Sequence, residues 1–439
     1  MLLLVASSCA ANAAPGTAGS STNPPAVTTV TSDTVGTSAG STTATVMSSV
    51  VTAPPTTAKG SPTTVAAPTT TAGVATIPGM PPVIDKSNIY SEAAAGKLSP
   101  VVANHKPYVY VPSNDDGSVT VIDQASMQIV KSFQAGGKLV QHIVPGYDLT
   151  KLYANVSGAN FLREIDPVTA EPGDAIPVPA PYNLYFTPDG SKAIVMAERV
   201  DRIDFYDRIT WAKVKSIQVP CKSQRTGFSF GGVNHADWSA DGSYFIATCE
   251  FAGDMLKIDT QKMEVIGQLK LSKTAMPQDV RAMPDGRKFY VADMQSNGVW
   301  ILDGDSFTVT KRLDTGKGAH GIYFSRDGKS VYVANRGHLA NETGRRSRAG
   351  EGSVSVVDWT TDVVTAEWPV PNGGSPDMGG VSADGKTLWL SGRYDSEVYA
   401  FDTTTGQLKA RIATPSAPHG LAVWPQPGRY TLGHTGNLR

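Results

Sequence analysis

The chain has 439 residues, 40% hydrophobic and 18% charged, which is enough apolar material for a large core and too little charge for a disordered polyelectrolyte. Basic residues number 38 against 39 acidic ones, so no net charge draws the protein to nucleic acid or to an anionic membrane. No run of about 18 apolar residues occurs, which excludes a conventional spanning helix, and three cysteines are too few for a disulfide scaffold or a four-cysteine zinc site.

Residues 1–9 form an apolar stub, Met1 to Val5, followed by Ala6, Ser7, Ser8 and Cys9. Small residues directly before a cysteine resemble the end of a bacterial lipoprotein signal, with Cys9 as the acylated residue. The competing reading is cleavage after Ala11-Asn12-Ala13, which would remove Cys9 and release the product. Either predicts export; the lipid reading is preferred for the residues flanking Cys9. From 10 to 82 the chain is Thr, Ala, Ser, Pro, Val and Gly with few charges, among them Asp33 and Lys59. Such a segment buries no core and predicts an extended, disordered linker, followed by a lead-in segment over 83–106.

From 107 onward a module recurs about every 42 residues, a spacing typical of propeller blades. In its clearest copy, Gly321 to Phe324 predicts a strand, Arg326-Asp327-Gly328-Lys329 a turn, and Ser330–Asn335, Ser353–Asp358 and Val363–Val370 three more strands. The turn returns as Pro188-Asp189-Gly190, Ala240-Asp241-Gly242, Pro284-Asp285-Gly286 and Ala383-Asp384-Gly385, where glycine supplies the positive φ of a tight hairpin. Third strands end in Asp123, Asp207, Asp259, Asp303, Asp358 and Asp402, read as turn formers. Blades are predicted to start near Pro107, Val140, Tyr182, Asn234, Gln278, His320 and Asp377. The first copy lacks an inner strand and the C-terminus offers a surplus one, Gly420 to Trp424, so pairing the two ends would close an all-β seven-bladed propeller over 107–439.

With Tyr332-Val333-Ala334-Asn335 and Tyr290-Val291-Ala292-Asp293 as its best copies, the repeat resembles that of the YVTN/YncE-like seven-bladed β-propellers, which are secreted bacterial proteins. Weaker likeness extends to cytochrome d1-type and lactonase-type propellers. The resemblance implies the fold; members share no single activity, so function has to come from a site.

Strand direction places the loops from fourth to first strand and from second to third strand on one face. Residues opening each inner strand are therefore expected around a central opening there: His142, Asn183, His235, Gln278, Asp279, His320, Asp377 and His419. Residues after the second strands, including Asn114, Glu198, Glu250, Asp293, Arg336 and Arg393, are expected farther out on that face. This set is the predicted ligand site. Imidazole suits Zn, Cu or Fe, which makes His142, His235, His320 and His419 the candidate metal or haem ligands. The alternative is a ring of polar residues bonding one another and channel water, with no cofactor. An insertion from Gly337 to Gly352, carrying His338, Arg345, Arg346 and Arg348, is placed on the same face as a possible anion trap.

Cys221 and Cys249 are also expected near that face and, in an oxidising compartment, are expected to pair. Gly227-Phe228-Ser229-Phe230-Gly231 matches a nucleophile elbow but lacks its strand-turn-helix context. Trp238, Trp300, Trp389 and Trp424 fall at strand positions that predict packing between blades. The reading is a monomeric propeller tethered to the cell envelope only through a lipid, or secreted. It would bind a small polar or anionic ligand or an envelope protein, with no nucleic acid. Two alternatives stand beside it: a metal- or haem-dependent oxidoreductase or lactonase-like hydrolase, and a pure interaction scaffold.

Overall fold

The computed structural model describes residues 74–337, 351–434 and 436–439. Cys9, the Ala11-Asn12-Ala13 cleavage site, the linker as far as residue 73 and residues 338–350 of the sixth-blade insertion lie outside the described residues. Seven four-stranded antiparallel sheets form the ring. Six are consecutive meanders, and the first is completed by the last strand of the chain: Ala422–Trp424 pairs antiparallel with Tyr108–Pro112, with Tyr108 opposite Trp424. Joining the two ends leaves no open sheet edge at the inner position of the first blade. No helix among the described residues is long and apolar enough to cross a membrane.

The hairpins form for the reason the sequence gives. Gly190, Gly242, Gly286, Gly328 and Gly385 all have φ between +65° and +79°, and the preceding aspartate accepts a backbone N–H two residues on, as Asp327 Oδ1 does from Lys329 N at 3.1 Å. Asp123 does the same at the end of its strand, accepting from Ala125 N at 3.1 Å. Trp238, Trp389 and Trp424 are fully buried between blades, while Trp300 is half-buried and donates its indole N–H to Asp293 at 2.8 Å.

The chain meets the ring earlier than the expected boundary at residue 83. Ile77 N donates to Asp241 O at 3.0 Å, and a Cβ on Gly242 would press on Met80. Farther along, Ile89 N donates to Pro284 O at 2.8 Å. These partners all lie at Asp-Gly turns, so the lead-in runs across the face opposite the predicted site.

Candidate functional site

Inner strands Val140–Pro145, Val233–Trp238, Pro277–Ala282, Ala319–Phe324 and Pro376–Val381 each carry a register shift after their first residue, and Pro181–Phe186 carries a smaller one. In the first five, two residues stand opposite one on the neighbouring strand. A bulge breaks the two-residue alternation and re-aims side chains. The pairs Gln141-His142, Asn234-His235, Gln278-Asp279 and Asp377-Met378 are consequently buried at both positions. This resolves an apparent mismatch in the sequence, where His142 and His235 sit one step out of register with His320 and His419. All four meet at the axis. Ring centroids are 4.8 Å apart for His142 and His419, 5.4 Å for His142 and His235, 6.0 Å for His320 and His419, and 6.4 Å for His235 and His320. Gly420 makes this possible, since a Cβ there would fall inside the His142 ring.

A fifth imidazole enters from the other side. The segment after the closing strand runs along the far ends of the inner strands, with Phe186 N donating to Leu432 O at 2.9 Å and Thr431 N to Tyr147 O at 3.2 Å. It carries His434 to within 4.9 Å of His142 and 5.1 Å of His235, centroid to centroid. Below it, Arg439 Nη2 donates to Asp237 Oδ1 at 3.1 Å, and Asn437 Nδ2 donates to Ala236 O at 3.0 Å. His434 lies beyond the last repeat, so register counting could not place it. His105, by contrast, accepts from Trp424 Nε1 at 3.1 Å, away from the cluster.

The expectation of an open mouth needs correcting, because the five central histidines are at most 2% exposed. Two inward residues per bulged strand, with the tail from beneath, fill the axis. Rings 4.8–6.4 Å apart, centroid to centroid, leave no slot for a macrocycle, so haem does not fit between these histidines.

Two carboxylates organise the cluster. Asp377 accepts from Arg336 Nε and Nη2, both at 2.8 Å. It also accepts from His320 Nδ1 at 2.9 Å and His419 Nδ1 at 2.8 Å. With that proton committed to Asp377, His419 Nε2 accepts from the Tyr182 hydroxyl at 3.0 Å. Asp279 accepts backbone N–H groups of Val280 and Ile322, each at 3.0 Å. It faces Arg281 at 3.3 Å, His434 Nε2 at 3.6 Å and His235 Nδ1 at 3.8 Å. Asn183 donates to His434 Nδ1 at 3.2 Å. Neither ring nitrogen of His142 has a hydrogen-bond partner among the described residues, nor has Nε2 of His235 or of His434.

Burial governs the ionisation of these groups. It pushes His320 down to about 4 and His419 down to about 3, reinforced by Arg336 and Arg393 respectively and opposed by Asp377. His142 falls well below its ordinary value through burial and the neighbouring imidazoles. His235 and His434 are lowered by burial against the pull of Asp279. All five imidazoles are therefore neutral at pH 7. For Asp279, burial acts upward, but Arg281, His434 and His235 together hold it below the usual carboxylate range. Asp377 is likewise held well down by Arg336, His320 and His419 against burial.

Glu198, Glu250, Arg336 and Arg393 each directly follow a second strand and are at most 4% exposed. Glu250 accepts from Asn234 Nδ2 at 2.7 Å and is pushed up to about 7 by burial, against Gln278, Arg336, Arg225 and Asn234. Gln278 Nε2 donates to Met276 O at 3.1 Å. Arg336 joins this tier to the imidazoles through Asp377, and Arg393 Nη1 donates to Ala417 O at 3.4 Å. Asp293 does not belong here; it accepts from Met276 N at 2.8 Å and from the Trp300 indole, which is local bracing. The Gly227 to Gly231 stretch is a packed loop, with Phe228 stacked on Phe251 at 4.1 Å. Cys221 and Cys249 form a disulfide with Cα atoms 6.2 Å apart, tying this loop to the second strand of the fourth blade.

The fold and site thus define a seven-bladed propeller with a buried, neutral imidazole hub. No family model matches the chain, and no curated protein matches it. Among solved structures it is similar to hydrazine synthase from Kuenenia stuttgartiensis, at TM-score 0.50 and 19% identity over 64% of this chain and 90% of that one. It is also similar to the dihydro-heme d1 dehydrogenase NirN, at TM-score 0.53 and 13% identity over 74% and 77%. A third similar structure is a Bacteroides fragilis protein provisionally described as a 6-phosphogluconolactonase, at TM-score 0.58 and 15% identity over 74% and 99%. At these identities the likeness is one of fold.

Proposed function

We propose that the chain is an exported, envelope-tethered propeller of the YVTN/YncE-like kind whose hub binds a small ligand. The ligand is recognised by imidazole, carboxylate and phenol groups rather than by a surface. The observation that carries this reading is the set of four unmet imidazole nitrogens in a solvent-free cluster. Each buried polar atom without a partner costs about 1–3 kcal/mol, and a bound ligand supplies what is missing. A pure scaffold would have no use for that arrangement. Ser229, in the one motif that matches a nucleophile elbow, is exposed in the loop after Cys221 and is not among the histidines. Tethering rests on Cys9.

The test is native mass spectrometry of the full chain purified from its own host, beside the His320→Ala/His419→Ala variant. A bound species present in the parent and absent from the variant, at matched circular dichroism, is the expected result. An empty parent, or a variant that unfolds, would leave the histidines as structural. For the tether, Cys9→Ser is expected to move the protein from the membrane to the soluble fraction.

A further inference from the structure

We propose that His142, His235 and His434 form a three-imidazole site for a late first-row divalent cation, copper(II) or zinc(II). The inference rests on the reading of the hub as a binding site and names the ligand it takes. Three unconnected parts of the chain supply the donors: the inner strands of the second and fourth blades, and the C-terminal segment. One ring nitrogen from each of the three lies within 4.8 Å of the others. Metal–imidazole bonds of about 2.0–2.1 Å require each ring to close in by less than roughly 1 Å, a small torsional adjustment.

The surrounding chemistry matches. The donor set is entirely nitrogen, since two of the three cysteines are spent in the Cys221–Cys249 disulfide. Imidazole suits copper and zinc, and copper(II) heads the affinity order for divalent first-row ions. His320 and His419 are less available, because both commit Nδ1 to Asp377 and His419 also takes the Tyr182 hydroxyl at Nε2. Asp279 stands 3.6 Å from His434 and 3.8 Å from His235, fixed by two backbone N–H groups. A carboxylate held behind metal-bound imidazoles orients the rings and offsets the ion's charge. Gly420, whose missing side chain makes room for the His142 ring, completes the fit. Because His434 belongs to the tail, ion binding would also pin the tail into the axis.

The experiment uses the full chain without a histidine tag, stripped with chelator, given copper(II) or zinc(II) sulfate in separate arms and desalted. Metal is counted by mass spectrometry, and copper nitrogen coupling is read by paramagnetic resonance. The expected result is one ion per chain, with affinity lowered by at least about 100-fold in His142→Ala and in His434→Ala. The copper spectrum of His434→Ala should lose one nitrogen. His105→Ala should bind as the parent does, and His434→Gln, which keeps a polar side chain of similar size in the tail, should fold normally yet lose the ion. Failure of the parent to retain either ion overturns the site, as does full retention by His434→Ala. If the parent takes no metal but carries an organic ligand from its host, the metal assignment falls and the hub reading stands.

Discussion

The sharpest test of the buried tier uses Glu250, whose carboxyl is 4% exposed and pushed up to about 7 from 4.5. In the unfolded chain it ionises near 4.5; in the native protein it holds its proton until about pH 7. A raised native value means that its contribution to stability is fully present below pH 4.5 and is lost as pH rises through 7. The rise from 4.5 to about 7 corresponds to about 3 kcal/mol. Glu250→Gln keeps a side chain that can hydrogen-bond Asn234 and cannot ionise. Urea unfolding of both proteins between pH 4.5 and 8 gives the difference in stability, which removes contributions common to the two. That difference, parent minus variant, should fall by about 3 kcal/mol across the range, with its midpoint between 5 and 7. A flat difference would refute the argument, because it would mean that the carboxyl ionises in the native protein as freely as it does in water.

His142→Leu is expected to stabilise the ligand-free protein by about 1–2 kcal/mol in urea unfolding, since an apolar side chain of similar volume removes two unmet nitrogens; a loss of more than about 2 kcal/mol would mark His142 as a packing residue. Gly420→Ala should cost about 1–3 kcal/mol through overpacking against the His142 ring and should abolish hub binding in the native mass spectrum, whereas unchanged binding would refute the fit between the two residues. Cys221→Ala/Cys249→Ala opens a disulfide spanning a separation of 28 residues and should lower stability by roughly 3–4 kcal/mol in the same assay, with no change in hub ligand content.

The ring was legible because its signals are local and repeated. Asp-Gly turns, strands ending in Asp and a surplus terminal strand are each readable within a few residues, and together they place all seven blades and the closure at Trp424. The convergence of His142, Asn183, His235, Asp279, His320, Asp377 and His419 followed from strand direction alone. What register counting could not supply was the bulge, a backbone event with no composition mark. His142 and His235 do stand one step from His320 and His419, and the bulge turns both positions toward the axis. Nor could counting reach His434, Asn437 and Arg439, which follow the last repeat and dock by long-range contacts. Their arrival, with two inward residues per bulged strand, turns an expected opening into a filled hub. Asp293 failed for the opposite reason: it satisfies the pattern for the outer ring, but a tryptophan on the next strand claims its carboxylate.

The seven blades repeat closely where they form the ring and diverge at the axis. Turn aspartates and glycines recur because each hairpin poses the same backbone problem. The residues at the bulge do not recur, although blade after blade poses the same packing problem there too: the second residue of the pair is His142, Asn183, His235, Asp279, Gly321, Met378 or Gly420. Closing a channel calls for side chains of the right volume with their polar atoms paired, and a repeated apolar choice would meet that need at lower cost. This chain instead places two imidazoles, an amide, a carboxylate, a thioether and two glycines at equivalent positions and leaves several nitrogens unmet. Departure from the repeat, full burial and incomplete pairing coincide at His142 and His235. Such a combination lowers stability without improving the ring, which is the pattern expected where a site has been shaped for what it binds.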